Sequence, residues 1–320
     1  MHDATQLRKK ILLSAYSQGI ENNTDLIHER LHLKKQTVEY VLEKLKNEGY
    51  FTKTKYDLDL QTLGVGQFAW VFIGIDWQKY NQEKFIKEIL DLTPVLTVAD
   101  VTGTSDIAIK IFGPSVSYLG AFVLGMEKLF HGTITDVRIY YSNKEYKRHY
   151  LKIYKPVAQK INKIDCAILK EKTQDSKIGL MEIADKYGFH RNSVSKRWKG
   201  LWEKGIIVKE IPDLTQKGYD EIKMGLKAFM IIKPLPGCEG KLISTLVKRP
   251  DVQDVFTTLQ NEIVIIIRTE NSATLVQNHR SLTKVDCSVR RTNTSIFLTK
   301  YNKTTLSLKE MNSILNKRGN

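Results

Sequence analysis

The chain repeats itself. Set against itself at an offset of 156 residues, LKKQTVEYVLEKLKNEGYF (33–51) falls on FHRNSVSKRWKGLWEKGII (189–207). Val38 meets Val194, Leu45 meets Leu201 and Gly49 meets Gly205. The same offset sets Ile27 on Ile183, Pro94 on Pro250 and Asp106 on Glu262. It also sets Ile107, Ile109 and Ile111 on Ile263, Ile265 and Ile267. One helical pattern aligns by chance, but a register held through helix, proline and strand does not. The 320 residues are therefore read as two copies of one unit. At 42% hydrophobic residues, units of this size can bury real cores.

Each copy opens with three helical patterns. Leu7, Ile11, Leu12 and Ala15 mark one face of the first, as Ile161, Ile164, Ile168 and Leu169 do in the second copy. Short helices follow at 24–31 (with Asn23 or Thr24 as N-cap) and at 180–187, each leading into a turn, 32–34 or 188–190. A longer helix comes next, with Val38, Leu42 and Leu45 or Val194, Trp198 and Leu201 facing inward. Gly49 and Gly205 close it in the left-handed position that favours glycine. The segments YFTKTKYDLDL and IIVKEIPDLT read as wings.

The remainder of each copy alternates strand and helix. Strands at 67–76, 95–101, 106–112 and 133–141 flank helices at 82–92 and 116–129, which is the ferredoxin-like order βαββαβ. In the second copy the strands are 226–232, 252–258, 262–269 and 288–299, and the helices 240–248 and 272–282. The expected fold class is α+β, a tandem repeat of winged helix-turn-helix plus ferredoxin-like βαββαβ domain. The expected domains are winged helix-turn-helix 1 (1–60), sensor domain 1 (61–143), a linker helix with winged helix-turn-helix 2 (144–218) and sensor domain 2 (219–302). A C-terminal helix or tail follows (303–320), with an amphipathic stretch at 306–315.

Cys166, Cys238 and Cys287 are odd in number and lack C-x-x-C spacing, which argues against a disulfide framework or a zinc site and fits a reducing cytoplasm. The N-terminal MHDATQLRKK has no signal-peptide core, and no run approaches the roughly 18 apolar residues of a membrane span. A soluble cytoplasmic protein without a membrane partner is expected. The net charge of +15 invites an anionic partner, most simply nucleic acid. That charge is uneven: residues 1–60 carry +1, 61–143 carry −2, 144–218 carry +9 and 219–302 with the tail carry +7.

A helix-turn-helix followed by βαββαβ resembles the Lrp/AsnC regulators, the leucine-responsive or feast/famine family. The likeness is carried by Ile164-Asp165 with Ile168-Leu169, by Ile183-Ala184, and by Val194, Arg197, Leu201 and Gly205-Ile206-Ile207. Leu63-Gly64 and the turn Thr102-Gly103-Thr104-Ser105-Asp106 resemble its sensor domain. The first copy departs at Val41 and His28, where the second has Arg197 and Ala184; the second departs at Leu259-Gln260-Asn261-Glu262. Members of that family associate through their sensor sheets. The resemblance therefore implies a pseudo-dimer within one chain, able to assemble further into a homo-oligomer.

The expected partner is double-stranded DNA. On the second recognition helix, His190, Arg191, Asn192, Ser193 and Lys196 face outward near its start. Arg191, Asn192 and Lys196 suit base edges, since Arg bonds both acceptors of guanine and Asn pairs with adenine. Ser193, Arg197 and Lys199 suit the phosphate backbone. The first recognition helix offers Lys34, Lys35, Gln36, Thr37, Tyr40 and Lys44, among which Glu39 and Glu43 weaken the field. A degenerate or protein-contacting module stays open there. The basic, aromatic stretch 143–156 reads as the linker helix, with phosphate contact secondary.

Gly103, Thr104, Ser105 and Asp106 could cradle a small effector such as an amino acid, with exposed amides and Asp106 on an ammonium; a hairpin turn that needs glycine is the plainer reading. The seven histidines show no metal spacing, and there is no nucleophile elbow, phosphate loop or carboxylate pair. No cofactor and no enzyme are expected. Two alternatives to a regulator are an architectural DNA-binding protein of low specificity and a siroheme-decarboxylase-like enzyme. His149 and nearby basic residues suit the enzyme, but an arginine-rich segment beside 67–73 or 226–232 is missing.

Overall fold

A computed structural model describes residues 4–20, 24–59, 62–63, 67–148, 151–152, 161–283 and 289–302. Asn23, Gly64, His149, Cys287 and the stretch 306–315 lie outside the described residues. The chain opens with helices α1 (Ala4–Gln18), α2 (Thr24–Leu31) and α3 (Lys35–Asn47), then strand β1 (Phe51–Leu58). Ile11, Leu12, Ala15, Ile27, Val38, Leu42 and Leu45 pack together as the 3.6-residue period requires.

The first mixed unit follows as β2 (Gln67–Ile75), α4 (Gln82–Asp91), β3 (Val95–Val101), β4 (Ile107–Gly113), α5 (Val116–Leu129) and β5 (Ile134–Arg148), with the short β6 (Leu151–Lys152). A second trio, α6 (Lys163–Gln174), α7 (Leu180–Tyr187) and α8 (Arg191–Glu203), precedes β7 (Ile207–Leu214) and α9 (Gln216–Glu221). The second mixed unit is β8 (Leu226–Pro234), α10 (Glu239–Lys248), β9 (Val252–Thr258), β10 (Ile263–Thr269), α11 (Ser272–Thr283) and β11 (Val289–Asn302).

Eight strands close into a ring in the order β2-β4-β3-β11-β8-β10-β9-β5, with β5 returning to β2. Closure comes from the last strand of each mixed unit. The first part of β5 pairs with β2, and its continuation from Ser142 pairs with β9. Likewise β11 pairs with β8 and then, from Phe297, with β3. Inside the ring Phe68, Trp70, Phe72, Phe229, Phe256 and Phe297 interlock, with ring centroids 4.8 Å apart for Phe72–Phe229 and 5.5 Å for Trp70–Phe229. Outside, Ala69, Val71 and Ile73 meet Phe85, Ile89, Leu119 and Val123, while Met230 and Ile232 meet Leu242 and Leu246. Both faces of β2 and β8 are therefore buried, which is why QFAWVFIGI reads as an unbroken apolar run rather than an alternating one.

The two helical trios are joined rather than separate. The wing-like segments do not fold into hairpins beside their own helices: β1 and β7 pair with each other, antiparallel, from Thr54↔Pro212 to Leu58↔Ile207. Each unpaired strand satisfies its backbone groups on the other. Phe51 and Leu214 enter the core of the first trio, and Tyr56 packs edge-on against Trp198 and Trp202 of the second.

Two further expectations are corrected. Residues 144–148 continue a strand that pairs with β6, so the expected linker helix is not formed in its described part. The alternation in KEYKR is real, but its inward positions are Glu145 and Lys147, so polarity hides the strand period. The expected boundary at 218 falls inside α9. Tyr219 and Ile222, in and just after that helix, complete the core of the first trio.

Candidate nucleic-acid interface

The start of α8 follows a turn held by Gly188, whose φ of 67° lies in the left-handed region that suits glycine. Val194 and Leu201 are buried, and Trp198 packs beside them. The remaining positions face out: His190, Arg191, Asn192, Lys196 and Lys199 are exposed and Ser193 is half-buried. Arg191 lies 3.4 Å from Asp185 in a pair that is exposed on both sides. Such a pair is worth at most about 1 kcal/mol and yields readily to another anion. Lys199 is 3.7 Å from Glu203, one turn on, and equally exposed.

Arg197 is a correction. It does not point outward to a phosphate: its Nε donates to Asp165 Oδ1 at 2.7 Å and its Nη2 donates to Asp165 Oδ2. The bond to Asp165 raises the pKa of the guanidinium. Asp165 is 2% exposed and also accepts from the backbone N–H of Asn162, in a capping box at the start of α6. Arg197 thus ties α8 to α6 and fixes the angle of the recognition helix. Asp165 stands in the family-like motif of α6, but its partner is not legible there, because a pair 32 residues apart leaves no local pattern.

On α3, Lys34, Lys35, Gln36, Tyr40 and Lys44 are exposed and Thr37 is half-buried. Glu39 and Glu43 share that surface. Val41, which stands where the second trio has Arg197, is buried in the core.

The turn 102–106 joins β3 to β4 at the seam between the two mixed units. Thr102 exchanges hydrogen bonds with Ile296: its N–H donates at 2.9 Å and its Oγ1 accepts at 3.0 Å. Gly103 has φ 114°, and a Cβ there would stand 3.4 Å from Ser295 Oγ. Ser105 is buried, and Thr104 Oγ1 accepts from Arg138 at 2.6 Å. The Asp106 carboxylate accepts from the backbone N–H of Ile75 at 2.7 Å, a structural role that the sequence reading did not give it.

Missed altogether by the sequence reading were the charges buried where wing sheet and ring meet. Arg148 bonds Asp59 at 2.8 Å, Lys147 donates to the carbonyl of Arg249 at 2.7 Å, and Lys209 donates to the carbonyl of Ser17 at 2.8 Å. Among the described residues no helix is long and apolar enough to cross a membrane.

Two helix-turn-helix units thus stand on a ring of two ferredoxin-like sheets. No family model matches the chain. Over 148 residues, 45% of this chain and 94% of the relative, it is 32% identical to the HTH-type transcriptional regulator FL11 of Pyrococcus horikoshii. The counterpart from Pyrococcus furiosus is 31% identical over the same length. The chain belongs to the Lrp/AsnC family of helix-turn-helix transcriptional regulators. At full length it is similar to siroheme decarboxylase NirDL, solved with an iron-uroporphyrin III analogue. The TM-score is 0.61 at 10% identity, and 97% of this chain and 98% of that one are covered. Such low identity shows the fold alone. It nevertheless overturns the expectation that the chain is not an enzyme: a full-length structural counterpart is one, so missing sequence motifs exclude nothing.

Proposed function

We propose that the chain is a DNA-binding transcription regulator made of two fused copies of one unit, an intramolecular pseudo-dimer in which the second helix-turn-helix supplies most of the grip. The exposed start of α8 carries this reading. Five side chains able to meet DNA stand there on a helix whose pose is fixed by the Arg197–Asp165 pair, within a segment of net charge +9. Arg191, Asn192 and Lys196 read bases, while Ser193 and Lys199 bond phosphates. Residues 1–60, at net +1, contribute less.

Fluorescence anisotropy against a library of duplexes at several salt concentrations tests it. Arg191→Ala costs roughly 1–3 kcal/mol and relaxes preference at one position, and Lys199→Ala flattens the salt slope by about one contact. Lys35→Ala and Lys44→Ala do less. Equal losses from both helices would refute the asymmetry. Uniform affinity for all duplexes would favour an architectural protein instead.

An effector at the turn 102–106 belongs to the same reading. Gly103 opens the backbone there, and Thr104 and Arg138 stand beside it at the surface. Calorimetry with a panel of amino acids checks it; equal binding by wild type and a Gly103→Leu, Thr104→Ala variant would put the pocket elsewhere.

One observation favours a second reading, tetrapyrrole decarboxylation: the correspondence with NirDL over 97% of the chain. A new visible absorbance band on mixing with iron uroporphyrin III would support it, and an unchanged spectrum would remove it.

A further inference from the structure

A cavity of about 420 Å³ opens where the C-terminal half of α3, the strand β1 and the turn between α6 and α7 meet. That volume lies in the range of small-molecule sites. Ile20, Leu42 and Phe51 form its apolar wall, and Glu43, Lys46 and Lys177 its polar rim. Leu42 and Phe51 also belong to the core of the first trio, so the cavity is a dent in a packed interior rather than a fold of loose surface.

The rim is unusual in its charges. Lys46 comes from the first trio and Lys177 from the second; the side chain of Lys177, within hydrogen-bonding reach and then by its like charge, lowers the pKa of Lys46, while Glu43 acts the other way and more weakly. An ammonium has three donors and no acceptor, so these two groups repel and cannot satisfy one another. An anion between them converts repulsion into two charge-assisted hydrogen bonds.

Among the described residues, two positions of the second half that correspond to this wall and rim are filled by larger side chains. The 156-residue offset carries Leu42 onto Trp198 and Lys46 onto Trp202. Those two indoles stand edge-on to each other, 6.0 Å between centroids, and close around Tyr56. In the first half, Leu42 and Lys46 leave the corresponding space open.

We infer that this cavity binds a small amphipathic carboxylate, with its apolar body against Ile20, Leu42 and Phe51 and its head between Lys46 and Lys177. A bare inorganic anion would leave the apolar wall uncovered, and a neutral apolar molecule would leave the lysines opposed. The ligand bridges the two helical trios, since each lysine comes from a different one. The inference stands apart from any contact with DNA.

Isothermal titration calorimetry of the full chain at low ionic strength, without DNA, tests it with four probes: octanoate, octanol, octylamine and inorganic phosphate. Octanoate binds with one site per chain, at least about tenfold tighter than the other three. A Lys46→Gln, Lys177→Gln variant, altered only at the rim, weakens octanoate by about tenfold or more. Leu42→Trp, which fills the space as the second half does, removes binding with the rim charges intact. No octanoate binding, equal binding by the rim variant, or octylamine binding as well as octanoate would overturn the inference. Phosphate binding as tightly as octanoate would reduce the site to a plain anion site and overturn it too.

Discussion

The two helical trios share a backbone pattern and differ in almost everything chemical. The second is stapled by Arg197–Asp165 and shares a continuous core with the interior of the ring; the first has Val41 at the matching position and a core of its own. The tight turn of the second uses Gly188 at φ 67°, whereas the first holds His32 at φ 52°, where a side chain is strained. Each trio also receives a lysine from the opposite wing strand, at the C-terminal end of its first helix, where orphan carbonyls favour a cation. Lys209 reaches Ser17 O at 2.8 Å and is 3% exposed; Lys53 reaches Gln174 O at 3.3 Å in the open. Backbone geometry tolerates this divergence because helix periodicity and turn handedness set the trio, while the charged contacts decorate it.

Four tests break or sharpen the comparison. The largest effect belongs to Arg197→Ala, which strands a buried carboxylate. Urea unfolding is expected to show a loss of about 3 kcal/mol, kept below the full value for a buried pair because Arg197 is 31% exposed. Asp165→Leu together with Arg197→Leu is expected to recover most of it; no recovery would mean that the staple does more than neutralise Asp165.

Next comes Lys209. Burial depresses its pKa from 10.5 to about 8, against the pull of Asp57 and Asp254. Between those values the unfolded chain holds a proton there that the folded chain has released, so stability rises with pH across that window. Below pH 8 both states are protonated and the full penalty of the buried charge stands. A gain of roughly 2 kcal/mol from pH 7 to pH 9.5 is expected. Unfolding midpoints over that range are expected to flatten in Lys209→Met; an unchanged slope would assign the gain to other groups.

The turns come third. Gly188→Ala is expected to cost about 1 kcal/mol and His32→Gly to return a similar amount, read as opposite shifts in melting temperature. Smallest of all, Lys53→Met is expected to change stability by less than about 0.5 kcal/mol and to leave the pH profile intact. A large effect there would erase the contrast with Lys209.

Elements with apolar periodicity were legible in the sequence. Val38, Leu42 and Leu45 sit on the buried face of α3, and Ile107, Ile109 and Ile111 are buried in β4 as their pattern demands. What escaped was pairing between distant parts. The strand at 144–148 hid because its inward residues are charged, and β1 gave no sign that its partner lay near residue 210. The same holds at the candidate interface. Exposure of Arg191, Asn192 and Lys196 follows from helix phase alone, whereas the inward turn of Arg197 depends on a carboxylate one helix away. Phase is a local property, and a partner is not.

The closed ring also dictates a timetable for the newborn chain. The edge of β3 is complete once residue 101 is made, yet the strand that covers it arrives only with residues 297–302. The far end of β5 waits until residues 255–258 are made, and the edge of β3 stands bare until the last strand, the condition in which one nascent chain most readily pairs with another. Contacts spanning so much sequence also form slowly. The final strand is therefore both the last to be synthesised among the described elements and the one that covers the edge of β3.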